Sequence, residues 1–563
     1  MLRGAIGSLL FTLGIETAGR AAYRRLLAAA REPRATQQTA LARILRALAP
    51  TELGQTYGYA QIDGPDDFRR RVPVHDYEAL RPHVARQIAT GASVVTATRP
   101  VMYARTSGTT GEPKLVPVTR DVVATLRHAQ RVFSYVQHRQ LGAFRGRVLA
   151  IGGALREETL PDGTPAGSAT GLIYATMPRP IRHKYVVPAE VFEIEDYELR
   201  YAVIARLAVQ HRNLSMIATA NPSTILRLFQ QIEADRPALA ADLAQSGSRL
   251  LARLPPRLAQ HVGSVLKSSP RQARVLAAAG TRGPLPLAEL WPQLRAVMTW
   301  LGAGCTTAAE HIRTLLPNRV RMIDAGYVAS EVRGTVVIDA ERNLALPLLE
   351  DVFFEFVTDE AWNAGERDTL LLHELEQGQT YRVLVTTRGG LVRYDMNDIV
   401  RVTGLVGRTP TLEFVRKGRG VTNITGEKVA EDQVNLAMAK VTAAAGVSVP
   451  FYVVVADAAA AGYCAYVEGD AAAGIVVALA TALDAKLATL NIEYGTKRAS
   501  GRLRPLRVVA LRSGASRAYR EHCVRKGQRE SQFKVLTLRD ANEIDFDFLR
   551  YAAGDSADAP QVR

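Results

Sequence analysis

Apolar and polar positions follow two rhythms along this 563-residue chain, and the rhythm changes with position. Up to Leu48 the apolar residues recur every three to four positions, as on one face of amphipathic helices. Gly and Pro stops then cut TELGQTYGYAQIDGPDDFRRRVPVHDYEALRPHVARQIATG into short helical pieces. A helix is predicted from Asp121 to about Gln137, followed by a short buried strand over Val148–Gly152. Between Ala154 and Pro188 the pattern is irregular, and such a segment inside a compact domain tends to be functional. Asn221-Pro222 reads as a cap followed by proline at the first helical position. WPQLRAVMTWLGAG reads as a strand running into a Gly-rich turn, and RVRMIDAGYVASEVRGTVVI as strand, loop, strand. From Asp351 the pattern turns to β in DVFFEFV, YRVLVTT and LVRYDMNDIVRVTG. Helices flanking several apolar strands make the predicted class α/β.

Near Arg416–Thr425 the composition shifts to glycine and small polar residues, KGRGVTNITG. A hinge is predicted there, dividing a large domain, 1–417, from a small one, 418–563. In the small part FYVVVAD and YCAYVEG are expected to pair as strands, Gly474–Tyr494 to form a helix and LRVVALRSG another strand, an α+β arrangement. Residues from about Ala553 onward are small and polar and are expected to fray.

Composition narrows the partners. With 47% hydrophobic and 22% charged residues the chain has an ordinary globular composition. Its formal charge of +16 comes mostly from arginines scattered among alanines and leucines. No dense basic run with interleaved aromatics occurs, so nucleic acid is not the expected partner. The three cysteines lie far apart without CxxC spacing, which argues against a disulfide scaffold or a zinc site and fits a reducing cytoplasm. The apolar N-terminal stretch is interrupted by Glu16 and Arg20 and continues its periodicity, so an amphipathic helix is expected there and no stable membrane insertion.

One stretch carries chemistry on its face. In TSGTTGEPKLVPVT, the hydroxyls of Thr106, Ser107, Thr109 and Thr110 and the glycines Gly108 and Gly111 precede Lys114, directly after the apolar run Val101–Ala104. Such a loop turns backbone N–H groups and hydroxyls inward on an anion, because glycine removes the side chain that would block approach. The spacing differs from that of a Walker loop, so a P-loop kinase or GTPase is excluded. Elsewhere, Tyr327 in YVASE offers a ring that can stack on adenine, and Glu331 a carboxylate for Mg²⁺ arriving with ATP, since that ion prefers one or two carboxylates plus phosphate oxygens. Asp398 follows a β run and can accept hydrogen bonds from both ribose hydroxyls, with Asp395 as its rival.

The loop order resembles the nucleotide loop of the adenylate-forming superfamily, which holds acyl-CoA synthetases, luciferases and peptide-synthetase adenylation domains. Four passages narrow the likeness: TSGTTGEPK at Thr106–Lys114, YVASE at Tyr327–Glu331, GLVRYDMNDIV at Gly390–Val400 and GEKVAEDQV at Gly426–Val434. In this order and at these separations the chain resembles the Gretchen Hagen family of acyl-acid amido synthetases, along nearly its whole length. The resemblance implies an ATP- and Mg²⁺-dependent ligase that forms an acyl-adenylate and passes the acyl group to an amine, most naturally of an amino acid. It implies Thr106–Gly111 and Lys114 at the phosphates, Tyr327 and Ser330 at the nucleotide, Asp398 at the ribose and Glu331 at the metal. A late lysine, Lys534 in SQFKVL, takes the adenylation transition state, with Lys526 and Lys428 as competitors and a small domain that rotates between half-reactions. Where plant members carry an arginine-valine-glycine segment, this chain has Asp395-Met396-Asn397, and Lys417 stands at the hinge where they have arginine. An acyl-CoA ligase or O-acyltransferring relative is the first alternative, and a non-catalytic ATP-binding protein the second. The acid and the acceptor are not legible, because a pocket shaped by helices and loops sets them.

Overall fold

The computed structural model describes the chain except residues 1–10, 107–113, 176, 178, 246, 281–282, 303–304, 366–367, 419, 448, 470–471, 526–534, 536 and 554–563. Contacts divide it into two units, the first ending at Arg416 and the second beginning at Lys417.

In the first unit, helix α1 (Pro33–Leu48) opens with proline in its first turn and buries Leu41, Ile44, Leu45 and Leu48 on one face. Helix α2 (Tyr77–Thr90) starts at Asp76, whose carboxylate accepts from the Ala79 N–H, and ends at Gly91 in the left-handed region, φ 68°. Strands β1 (Met102–Thr106) and β2 (Lys114–Val118) pair antiparallel, with Thr106 opposite Lys114. Helix α3 (Arg120–Leu141) follows at once, capped by Thr119 and closed by Gly142. Helices α2 and α3 and the two strands share one core, in which Met102, Tyr103, Val116 and Val118 meet Val132 and Val136 of α3, whereas the α1 residues pack in a separate cluster with Phe68 and Phe353.

Next come β3 (Arg147–Ala150), α4 (Tyr197–Val209), β4 (Leu214–Ala218), α5 (Pro222–Ala234), β5 (Ala296–Thr299), α6 (Thr306–Leu315) and β6 (Arg321–Asp324). The strands form a parallel sheet in chain order, β3-β4-β5-β6. Parallel neighbours need crossover connections, and the helices supply them. The expected Asn221-Pro222 cap is present: the Asn221 amide oxygen accepts from the Ser223 N–H at 2.9 Å. A second core lies under α4 and α5 around the fully buried Trp291.

An antiparallel region follows, with β7 (Phe353–Val357), β8 (Leu370–Leu371), β9 (Thr380–Thr386), β10 (Tyr394–Val406) and β11 (Thr409–Lys417) ordered β8-β7-β9-β10-β11. Strand β7, FFEFV, is buried along its whole length and carries one carboxylate, Glu355. That charge is paired with Arg393 at 3.0 Å, as an ion at that depth requires.

The second unit holds a short ladder of β12 (Val421–Thr422) and β13 (Val429–Ala430), helix α7 (Glu431–Ala445), strands β14 (Phe451–Asp457) and β15 (Gly462–Glu468), helices α8 (Ala472–Leu490) and α9 (Ile492–Ala499), β16 (Arg507–Leu511), α10 (Ala515–Arg525) and β17 (Leu538–Asp540). Its four-stranded sheet is ordered β16-β15-β14-β17; the central strands pair as expected, and they do so antiparallel. The helix predicted over Gly474–Tyr494 is instead two helices broken at Asn491. The Asn491 side chain caps α9 by accepting from the Tyr494 N–H, and it donates to the carbonyls of Glu427 and Lys428. Residues 554–563, where fraying was expected, lie outside the described residues.

Candidate active site

The site grows from a defect in a strand. Along β9 and β10 the pairing steps from Arg382–Ile399 to Leu384–Asp395, so Met396, Asn397 and Asp398 together oppose Val383 alone. Bulges of this kind re-aim side chains. Asn397 occupies the left-handed region, φ 50°, which asparagine tolerates better than most residues. Arg382 clamps the bulge: its guanidinium makes two bonds to the Asp395 carboxylate, at 2.8 and 2.6 Å, and a third to the Asn397 amide oxygen at 2.8 Å. The Trp362 ring lies 4.0 Å from the Arg382 guanidinium carbon. Asp395 is therefore a structural partner of Arg382.

The bulge leaves Asp398, 2% exposed, facing Tyr327, whose hydroxyl donates to Asp398 Oδ2 at 2.8 Å. Burial pushes the Tyr327 phenol well up, and the adjacent Asp398 charge pushes it further, so it stays protonated and donating. One face of the Tyr327 ring is taken: Phe414 of β11 stacks on it at 6.1 Å and 4° between planes. A Cβ at Gly334 would come within 2.4 Å of the ring, so only glycine fits there. Sequence reasoning proposed Tyr327 as a stacking platform, and the structure adds a hydroxyl that orients Asp398.

Tyr327–Gly334 forms a tight hairpin. The Gly334 N–H donates to the Tyr327 carbonyl, Val328 bridges Arg333, and the Ala329 N–H donates to the Val332 carbonyl. Ser330 and Glu331 thus sit at its tip, both partly exposed. Burial raises the phenols of Tyr77, Tyr327 and Tyr394, and the Glu331 carboxylate adds to the rise at each, so that charge lies within electrostatic reach of all three.

Tyr77, the first residue of α2, completes the other wall. Its hydroxyl accepts from the Leu115 N–H at 2.6 Å, and Lys114 Nζ lies 5.6 Å from its ring centroid. The structure therefore brings Lys114, Tyr327, Ser330, Glu331 and Asp398 to one place. Thr106 ends the strand beside Lys114, whereas Ser107, Gly108, Thr109, Thr110, Gly111 and Lys534 lie outside the described residues. Tyr77, Tyr394 and Phe414 were not singled out from the sequence. The Asp76 cap is the one local signal that marks Tyr77, and Phe414 has none beyond strand alternation.

Among the described residues no cluster of three or more His, Cys, Asp or Glu forms a metal cage, and no helix is long and apolar enough to cross a membrane. A single partly exposed carboxylate such as Glu331 fits Mg²⁺ that arrives on phosphate oxygens, which needs no such cage.

Comparison with known proteins identifies the family. The GH3 family N-terminal domain matches residues 22–321, the GH3 central domain 345–417 and the GH3 C-terminal domain 432–543. A jasmonoyl-L-amino acid synthetase of Oryza sativa subsp. japonica is 23% identical over 90% of this chain and 92% of its own length. An indole-3-acetic acid-amido synthetase of Oryza sativa subsp. indica is 26% identical over 89% and 87%. Among solved structures, a GH3.15 acyl acid amido synthetase shares the fold with a TM-score of 0.65, at 18% identity and covering 94% of this chain and 96% of that one. With three domain matches in order over most of its length, the chain belongs to the GH3 family.

Proposed function

We propose that this protein is an ATP-dependent acyl acid amido synthetase acting on a small carboxylic acid and an amine, most naturally that of an amino acid. A carboxylate oxygen of the acid attacks the α-phosphorus of ATP, the bond to the β-phosphate bridging oxygen breaks, and pyrophosphate leaves. The amine nitrogen then attacks the acyl carbon, the bond to AMP breaks, and the nitrogen gives up a proton. The observation that carries this reading is the convergence of Lys114, Glu331, Tyr327 and Asp398 on one wall-to-wall site.

Lys114, with Thr106, Ser107, Gly108, Thr109, Thr110 and Gly111, is assigned to the phosphates, and Asp398, oriented by Tyr327, to the ribose. The aromatic pair Tyr327–Phe414 and Ser330 are assigned to the base and its surroundings. Glu331 would hold Mg²⁺, which when bound neutralises phosphate charge. Catalysis of this kind is mostly positioning and charge stabilisation, so no covalent help from the chain is needed. Lys534 is assigned to the adenylation step, carried by a small domain, 418–563, that moves relative to 1–417. Three free cysteines and the demand for ATP support a cytoplasmic setting.

The test is exchange of labelled pyrophosphate into ATP over a panel of carboxylic acids, followed by product analysis with an amino-acid mixture, CoA or alcohols. Amide as the product supports the reading. Thioester or ester as the sole product, or no exchange with any acid, overturns it.

A further inference from the structure

We infer that Arg333 receives a carboxylate of the substrates that takes no part in the reaction, and so sets which acids or acceptors are used; this rests on the amido synthetase reading. In the Tyr327–Gly334 hairpin, Val328 and Arg333 lie opposite each other and so share a face, while Tyr327 and Gly334 share the other. Tyr327 and Asp398 occupy the nucleotide face. Arg333 is on the opposite face, two residues past Glu331, and its charge is felt by Asp324 at the carboxyl end of β6. In a parallel sheet the crevice outside those ends is where ligands bind.

Arg333 makes no hydrogen bond and no ion pair with any described residue, and its Nε is buried without a partner. Burial pushes its guanidinium down to about 10. Asp324, the one charge acting on it, does not meet it: the Asp324 oxygens already accept from the Leu301 N–H at 2.9 Å and the Gly326 N–H at 2.6 Å. A donor held away from water without an acceptor, as the Arg333 Nε is, is costly to the folded chain. A planar fork of that kind matches a carboxylate in bidentate fashion, and a substrate anion would repay the cost. The reacting carboxylate must meet the α-phosphate on the nucleotide face, which leaves Arg333 for a second one. Two sources supply that chemistry, a second carboxylate on the acid or the α-carboxylate of an amino-acid acceptor.

The experiment separates them with Arg333→Met, which keeps the stem and removes the fork, and Arg333→Lys, which keeps charge without the fork. Pyrophosphate exchange, run without acceptor, compares each dicarboxylic acid with its matched monocarboxylic acid. Amide formation compares each amino acid with the amine that lacks the α-carboxylate. If the acid supplies the anion, Arg333→Met lowers kcat/KM for dicarboxylic acids roughly 30-fold or more, mostly through KM, and matched monocarboxylic acids change less than about 3-fold. If the acceptor supplies it, exchange is unaffected and the same ratio appears between amino acid and amine. Arg333→Lys gives an intermediate ratio, and it carries the test should Arg333→Met fail to fold. Losses equal with and without the extra carboxylate, or no loss in either arm, overturn the inference. Failure of the unmodified enzyme to exchange pyrophosphate with any acid overturns the amido synthetase reading itself.

Discussion

Tyr327→Phe isolates a single atom of the proposed site. The substitution keeps the ring on Phe414 and removes only the hydroxyl that donates to Asp398 at 2.8 Å. Asp398 is 2% exposed, so solvent replaces that donor poorly. A hydrogen bond to an ionised acceptor contributes about 1.5–3 kcal/mol net. At about 1.4 kcal/mol per decade this is a fall of roughly 10- to 150-fold in kcat/KM for ATP. The assay is pyrophosphate exchange at varied ATP, repeated with 2′-deoxy-ATP. With Tyr327 assigned to orienting Asp398 toward the ribose, the unmodified enzyme should already handle 2′-deoxy-ATP poorly and the variant should add little to that defect. Asp398→Asn and the double variant complete a cycle in which the two losses are far from additive, as for residues in one contact. An unchanged KM for ATP in Tyr327→Phe, or losses that add in full, would refute this chain of reasoning.

Three other outcomes follow from the same coordinates. Glu355→Gln leaves the Arg393 guanidinium, 4% exposed, without its counter-charge, so the denaturation midpoint should fall by an amount equivalent to about 3–5 kcal/mol. Asn397→Val forces a branched residue to φ 50° and should cost about 1–2 kcal/mol and weaken ATP use, whereas Asn397→Gly should stay within about 1 kcal/mol of the parent by thermal melting. Burial alone would raise the Asp351 carboxyl, but the His128 hydrogen bond and the charges of His128, Arg43 and Arg388 override it and hold the carboxyl below its usual range. A folded-state value below the unfolded one gives stability that is complete above about pH 3.9 and disappears as pH falls through the folded value. Asp351→Asn should therefore be less stable at neutral pH and lose less on acidification below that point, measured as melting temperature against pH.

Much of the framework was legible because it rests on local physics. Asn221-Pro222 caps a helix through contacts within three residues, and FYVVVAD and YCAYVEG, both apolar along most of their length, pair across a short connection. The candidate site was visible as residue types, since Lys114, Tyr327, Glu331 and Asp398 carry charges or rings beside apolar β runs, though the sequence did not show that Asp398 lies within β10 at a bulge. What escaped depends on partners far along the chain. Nothing near Tyr327 announces a bond to a residue 71 positions later, and nothing near Asp395 identifies Arg382 as its clamp. The break at Asn491 escaped the helix predicted over Gly474–Tyr494, because the partners that hold its amide, the carbonyls of Glu427 and Lys428, lie more than sixty positions earlier. Arg333 was passed over because an isolated arginine on a tight hairpin reads as a surface residue until its lack of any partner is seen.

The two walls of the site are also tied to one support, and that tie explains a buried ion pair that touches no assigned substrate group. Arg393 takes the left-handed conformation, φ 44°, at the entry to β10 and pairs with Glu355 on β7. From there its guanidinium donates to the carbonyls of Arg69 and Val72, at 3.1 and 2.8 Å. The backbone doubles the link, with the His75 N–H bonded to the Arg393 carbonyl and the Asp395 N–H to the His75 carbonyl. Two residues beyond His75 stands Tyr77, whose hydroxyl fixes the Leu115 N–H next to Lys114. Two residues beyond Arg393 stands Asp395, whose clamp on the bulge aims Asp398. A left-handed arginine and an ion pair at that depth are each costly alone. Together they set the spacing between Lys114 and Asp398, the residues assigned to phosphate and ribose, which a nucleotide of fixed length would require to be held within a fraction of an ångström.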